Sequence, residues 1–265
     1  MLTKVPVGLR YAMLPLVIAN WKMNLALAES VALARSVAKG FATYALVRHV
    51  ELVLCPTYPA LPEVAEVLAR SGIALGAQDV FWKNSGPYTG EVSPQVLAEL
   101  GVRYVIIGHS ERRQYLKESE AMVQQKVSAA LAVGLTPVLC VGETYAERQN
   151  GETDRVVARE VRSALTGTTL PPGSRLAVAY EPVWVIGSGQ AVLPAQAAAV
   201  ARVIQAELSE LYAASVARQA TRVIYGGSID LLNVSSFMAE PLISGVLIGG
   251  ASLDARKFTA LLKRF

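Results

Sequence analysis

The chain has 265 residues, of which 52% are hydrophobic and only 17% are charged, so it can bury a sizeable core. Its net charge of +4 is small and its lysines and arginines are scattered, which argues against binding to nucleic acid. Two cysteines, both in apolar runs, and two histidines nearly exclude a Cys/His metal site and indicate reduced, buried thiols.

The first fifteen residues precede the first predicted element and are interpreted as an N-terminal arm. Gly8 and Arg10 interrupt any signal-peptide core, and no small-residue cleavage site follows. Residues 182–201 carry no charge, but their Gln, Pro and Gly residues are unsuited to a membrane span. We therefore expect a soluble, cytoplasmic protein that does not bind membranes, with one domain over residues 16–265.

Short β-branched apolar runs alternate along the chain with segments that have helical spacing, such as 28–40 and 194–214. The predicted strands are residues 16–20, 50–55, 73–78, 104–109, 136–141, 176–181, 222–227 and 245–250. Eight such units without a linker predict an α/β fold of the closed (β/α)8 TIM barrel type. An open doubly wound sheet would also alternate, but no G-x-G-x-x-G fingerprint follows the first strand.

Polar residues and glycines stand at the C-terminal ends of these predicted strands. A barrel gathers the C-terminal ends of its strands on one face, where active sites lie. In chain order, this face carries Asn20, Lys22, Gln78, His109, Glu143, Glu181 and the glycine pairs of segments 226–228 and 249–252. This set of a cation, an imidazole, carboxylates and glycine-rich loops predicts an active site.

The two glycine pairs follow the seventh and eighth strands, where barrels often bind phosphate through backbone N–H groups. Glycine also serves tight turns between a strand and a helix, so a single pair would leave both interpretations open. Two pairs at this location favour a phosphate site.

His109 opens the sequence HSERR at the end of the fourth strand. Ser110 is expected to cap a following helix, whose positive end would keep the imidazole neutral and able to donate a proton. A buried core histidine is the alternative interpretation. His49 precedes the second strand, on the opposite face, so it does not compete for this role.

Glu181 ends the sixth strand beside the predicted phosphate site, which suits the abstraction of a proton next to a carbonyl group. Lys22 and His109 would then stabilise the enediolate that forms. Because an enediol phosphate loses its phosphate in water, a lid is expected. We assign it to residues 182–190.

Within this lid, the N–H of Gly187 is expected to reach a phosphate oxygen, and Trp184 is expected to help anchor the segment.

Seven motifs resemble the triosephosphate isomerase family over residues 16–265. They are ANWKMN (19–24), GAQDVFWKNSGPYTGEVSP (76–94), YVIIGHSERR (104–113), VLCVGET (138–144), AYEPVWVIGSG (179–189), YGGSI (225–229) and GVLIGGASL (245–253). The resemblance implies interconversion of dihydroxyacetone phosphate and D-glyceraldehyde 3-phosphate through an enediol(ate), in glycolysis and gluconeogenesis. It also implies that neither a cofactor nor a metal takes part.

By the same resemblance, Glu181 is the proton acceptor and His109 the electrophile. The residues implied to bind substrate are Asn20, Lys22, Gly187, Ser228, Gly249 and Gly250. Glu111 resembles the acidic partner of the family's active-site lysine. The lid departs from the family at Val185, Ser188 and Gln190, where Ala, Thr and Lys are common.

The segment 79–93 is long for a barrel connection and carries Phe81, Trp82 and Tyr88 among turn residues. Exposed to water, these rings would form a costly apolar patch, so docking on a partner is expected. A loop folded back on its own barrel is the alternative. The resemblance implies a homodimer in which this loop enters the neighbouring subunit and Thr89 approaches the partner's catalytic lysine and histidine.

Other functions fit the strand ends less well. A Schiff-base aldolase needs a lysine at a central strand end, where the sixth strand has Glu181. A metal-dependent aldolase needs several histidines on this face, which carries only His109. A barrel that serves as a binding or scaffold protein has no use for the reactive set.

Overall fold

The computed structural model describes residues 13–185 and 191–265. Eight parallel strands form a closed barrel in which each strand pairs with the next and the last pairs with the first. The strands are β1 (Leu16–Asn20), β2 (Glu51–Cys55), β3 (Ala74–Ala77), β4 (Val102–Ile107), β5 (Thr136–Val141), β6 (Leu176–Tyr180), β7 (Thr221–Tyr225) and β8 (Gly245–Ile248). The predicted (β/α)8 barrel is confirmed.

Helices connect the strands on the outside of the barrel. They are α1 (Leu27–Thr43), α2 (Leu61–Leu68), α3 (Pro94–Glu99), α4 (Ser110–Tyr115), α5 (Glu120–Ala132), α6 (Tyr145–Gln149), α7 (Thr153–Leu165), α8 (Pro194–Leu211), α9 (Ala214–Ala220), α10 (Val234–Met238) and α11 (Ala255–Leu262). The helix predicted over 194–214 ends at Leu211 because Tyr212 adopts an extended backbone. No helix of the described residues is long and apolar enough to cross a membrane.

The strands are apolar on both faces because each face is covered. Along β1, Leu16 and Ile18 pack inside the barrel, whereas Val17 and Ala19 face the surrounding helices. This alternation has the period of two that a strand requires. Burial on both sides explains why the strand sequences are nearly continuous apolar runs, and why polar residues at their ends stand out.

The ends of β5 and β6 approach each other most closely at Gly142. The N–H of Glu181 donates to the Val141 carbonyl at 2.7 Å, which fixes both backbones. A Cβ on Gly142 would overlap the Glu181 carbonyl oxygen. We expect Gly142→Ala to lower the free energy of unfolding by about 3 kcal/mol, as measured by urea titration, because neither backbone can move away without breaking this contact.

Gly173→Ala is the control for this substitution. Gly173 has a φ of +83° but open space around its Cβ position, so only backbone strain of roughly 1–2 kcal/mol is expected there. Equal losses of stability in the two variants would contradict the steric explanation for Gly142.

Candidate active site

A cavity of about 340 Å³ opens at the C-terminal end of the barrel. Its wall includes the predicted site residues Asn20, Lys22, His109, Glu181, Ser228, Gly249 and Gly250. Gly187, which was also predicted to bind substrate, lies outside the described residues. The strand ends therefore bring together the cation, the imidazole, the carboxylate and both glycine-rich loops.

His109, and not Ser110, caps helix α4. The N–H of Glu111 donates to Nδ1 of His109 at 3.2 Å, so Nδ1 carries no proton. In this neutral imidazole the proton is on Nε2, the nitrogen that faces Glu181. The prediction that the Ser110 side chain caps the helix was wrong because the histidine ring already occupies that position.

Glu181 is almost completely buried, with 2% of its surface exposed. Its Oε2 accepts the backbone N–H of Ser110 at 3.0 Å. Its Oε1 lies 3.2 Å from Nε2 of His109 and makes no hydrogen bond of accepted geometry to the residues that the structure describes. An under-bonded carboxylate at the wall of a cavity is suited to accept a proton.

Lys22 has a left-handed backbone, with a φ of +51°. Asn20 Oδ1 accepts its N–H at 3.0 Å, and the amide of Gln78 donates to its carbonyl oxygen at 2.9 Å. Its Nζ lies 2.5 Å from Glu111 Oε1, which is the predicted pairing. Gln78 thus supports Lys22 from outside the cavity wall, and Glu111 fixes the ammonium at the rim.

The two glycine-rich loops are fixed by close packing and by hydrogen bonds. A Cβ on Gly227 would overlap the Tyr225 hydroxyl, so this position requires glycine. The Asn233 amide donates to the Ser228 carbonyl at 3.2 Å and fixes the loop after β7. After β8, residues Gly250–Ser252 form a short 3₁₀ turn. Both loops line the cavity, as a phosphate site requires.

Glu143 does not face the cavity, contrary to the prediction from its position after β5. It is fully buried and accepts hydrogen bonds from the Tyr180 hydroxyl at 3.1 Å and from the Trp184 indole at 3.1 Å. Burial, and then the Glu143 carboxylate, raise the pKa of Tyr180, so this hydroxyl keeps its proton. Arg148, which no sequence motif indicated, pairs with Glu143 at 3.2 Å.

Among residues 13–185 and 191–265, no three His, Cys, Asp or Glu side chains are grouped as metal ligands. Cys55 and Cys140 are free and buried in the barrel interior. Burial raises the pKa of both thiols, and the Glu181 carboxylate raises that of Cys140 further. Both are therefore neutral side chains that fill the core.

The long connection after β3 lacks helix and strand from residue 79 to 93, as predicted. Its aromatic residues do not all project, however. Phe81 is buried within this chain, and Trp82 is half-buried against it, with ring centroids 3.9 Å apart. Tyr88 is 40% exposed, and Thr89 is also exposed. Only the tip of the loop is therefore available to a partner.

A second, apolar groove of about 700 Å³ adjoins the cavity and shares Lys22 and His109 with it. Exposed apolar side chains lie along it, namely Met23, Leu27, Tyr115 and Leu116. Met23 is 91% exposed, although it follows Lys22 directly. An apolar surface of this kind beside a polar site is typical of an interface.

A family model described as Triosephosphate isomerase matches residues 15–265. The triosephosphate isomerase of Chloroflexus aurantiacus is 43% identical over 249 residues, covering 94% of this chain and 98% of the relative. That of Moorella thermoacetica is 44% identical over 248 residues, covering 94% and 97%. The crystal structure of triosephosphate isomerase from Bartonella henselae has a TM-score of 0.81 and 34% identity, and covers 94% of this chain and 98% of its own. The chain therefore belongs to the triosephosphate isomerase family.

Proposed function

We propose that the chain interconverts dihydroxyacetone phosphate and D-glyceraldehyde 3-phosphate through an enediol(ate), in glycolysis and gluconeogenesis, and needs no cofactor. The observation that supports this most directly is the pair formed by Glu181 and His109. A buried carboxylate, one oxygen of which has no hydrogen bond to the described residues, lies 3.2 Å from Nε2 of the His109 imidazole, at the wall of one cavity.

In this proposal, Glu181 accepts a proton from the carbon next to the substrate carbonyl and returns it to the neighbouring carbon. Nε2–H of His109 donates to the carbonyl oxygen on which negative charge develops, and the Lys22 ammonium stabilises that charge. One carbon loses a proton and the next gains one, while the hydroxyl oxygen loses a proton and the former carbonyl oxygen gains one through Nε2 of His109, so no oxidant or reductant is consumed.

The phosphate is assigned to the loops after β7 and β8, through Ser228, Gly249 and Gly250. These residues line the cavity together with Lys22, on the wall shared with Glu181. Gly187 is included by its family motif alone. Backbone N–H groups of glycine-rich loops suit a phosphate because no side chain blocks its approach.

The test is an assay of purified protein with dihydroxyacetone phosphate, in which an NAD-dependent dehydrogenase reports the glyceraldehyde 3-phosphate formed. Turnover without added metal or cofactor is expected. Wild-type protein that is folded and yet inactive would overturn the proposal, and so would activity lost on dialysis against a chelator.

The active unit is proposed to be a homodimer in the cytoplasm, with residues 1–15 as an arm outside the barrel domain 16–265. The exposed loop tip 83–91 and the apolar groove beside Lys22 support the dimer, because each is a suitable surface for the other in a second copy. A two-fold arrangement would dock both loops at once. Thr89 and Tyr88 would then lie against the partner subunit.

Deleting residues 84–89 should give a monomer with turnover reduced more than tenfold. The deletion removes the tip of the loop, and the unfilled groove leaves Lys22 and His109 without the packing that fixes them. Light scattering at micromolar concentration measures the mass, and the coupled assay measures turnover. A wild-type protein that is monomeric and fully active at that concentration would refute the homodimer.

A further inference from the structure

Trp184, three residues after Glu181, is contacted from several sides by the connection between β5 and α7. Its indole N–H donates to Glu143 Oε1 at 3.1 Å. The guanidinium carbon of Arg148 lies 4.8 Å from the centre of its ring. The ring of Tyr145 is 6.1 Å away at an interplanar angle of 53°. Together, these residues hold the indole by a hydrogen bond, a cation–π contact and an aromatic contact.

Helix α6 presents Tyr145 and Arg148 from one side because they are three residues apart. The start of this helix is fixed by a capping box: Thr144 Oγ1 accepts the Glu147 N–H at 3.3 Å, and Glu147 accepts the Thr144 N–H at 2.8 Å. The two side chains that contact Trp184 therefore come from a firmly capped turn.

Arg148 serves two groups at once. Its Nη1 lies 3.2 Å from Glu143 Oε1, while its guanidinium carbon lies over the Trp184 ring. Glu143 has no exposed surface, and removing the positive partner of a buried carboxylate is strongly destabilising. A planar guanidinium is suited to this double contact, whereas an ammonium is a compact point charge.

Backbone hydrogen bonds to the end of β5 fix the segment that carries Glu181. Its N–H donates to the Val141 carbonyl at 2.7 Å, and the Val183 N–H donates to the Glu143 carbonyl at 3.2 Å. Glu143 therefore holds Val183 through its backbone and Trp184 through its side chain, while Val141 holds Glu181. Val183 and Trp184 follow Glu181 closely along the chain, so a shift of Glu143 is expected to reach the backbone that carries the base.

We propose that Arg148, supported by Tyr145, is a positioning residue for the catalytic base Glu181. It compensates the buried charge of Glu143 and holds Trp184, so that residues 181–184 stay attached to the end of β5. This inference rests on the proposed isomerase function and on Glu181 as its base. It adds a requirement on helix α6, which contributes no residue to the wall of the cavity.

Arg148→Met should lower kcat at least fivefold and change KM by less than twofold, because the substrate contacts remain while the base is displaced. Arg148→Lys keeps the charge and should recover part of the loss. Arg159→Met is the matched control, since Arg159 also pairs with a glutamate, Glu120 at 3.0 Å, but on the surface. Its kcat should equal that of the wild type.

A second measurement separates positioning from general loss of stability. In protein labelled with 5-fluorotryptophan, Trp184→Phe identifies the fluorine resonance of Trp184. Arg148→Met should shift or broaden that resonance at a temperature where the variant is fully folded, and Arg159→Met should leave it unchanged.

Normal kcat in Arg148→Met, or reduced kcat with an unchanged Trp184 resonance, would overturn this inference while leaving the isomerase function intact. An inactive wild-type protein would instead overturn the proposed function itself.

Discussion

Replacing Glu181 by glutamine should lower kcat by a factor of about 10⁴, the upper range for loss of a general base. An amide cannot take up the substrate proton. Glutamine has nearly the same shape, and its carbonyl oxygen can still accept the Ser110 N–H that now holds Oε2 at 3.0 Å. The cavity and its loops should therefore remain, so the loss falls on the transition state and not on binding.

Two measurements check this prediction. The coupled assay gives kcat, and calorimetric titration with inorganic phosphate should give a Kd within about threefold of the wild-type value, a change of less than 1 kcal/mol. Glu63→Gln, on the exposed side of α2, is the matched control and should be fully active. If Glu181→Gln kept more than roughly a tenth of the activity, Glu181 would not be the general base.

The barrel and much of its site follow from where polar residues interrupt apolar runs. Asn20, His109 and Glu181 each stand at or just after the end of a strand, and parallel strands of a closed barrel deliver their ends to one face. Position along the chain is therefore enough to place these residues on one side of the molecule. No contact between distant elements has to be known for that step.

Glu143 shows where such reasoning stops. It follows β5 by two residues, as Lys22 follows β1 by two, yet it points into the protein and not into the cavity. Within a strand, side chains alternate between the two faces, but after the last paired residue of the strand their direction depends on the backbone of the loop. Here Gly142 passes against the Glu181 carbonyl and turns Glu143 towards Tyr180. This close approach depends on the tertiary fold, and the local sequence does not indicate it.

The prediction of the residue that caps α4 was wrong for a related reason. Serine is a common helix cap, so Ser110 was a sound expectation from local chemistry. The structure uses the His109 ring instead, and the backbone N–H of Ser110 holds Glu181, a residue 71 positions away. Phe81 likewise looked like a surface anchor, because it lies in a long, turn-rich connection, but it is buried within this chain, against Trp82 and Tyr88.

Replacing Lys22 by methionine should lower kcat/KM about a thousandfold, with losses in both binding and turnover. The side chains have similar length, and the left-handed backbone at φ +51° is no worse for methionine, so the change is essentially one of charge. Lys22 and Glu111, 2.5 Å apart, form a neutral pair at the cavity rim. Without the ammonium, Glu111 alone would repel an anionic substrate. Removing a group that stabilises the developing oxyanion typically costs about 2.7–4 kcal/mol.

The two sources of this loss can be separated with Glu111→Gln. In Lys22→Met/Glu111→Gln the unpaired negative charge is gone, so KM should recover towards the wild-type value. Because the charge that stabilises the enediolate is still missing, kcat should stay low. Adding salt should improve KM in Lys22→Met, where repulsion is screened, but much less in the double variant. Wild-type KM in Lys22→Met would show that the ammonium does not bind substrate, and a double variant no better than the single one would remove Glu111 from the explanation.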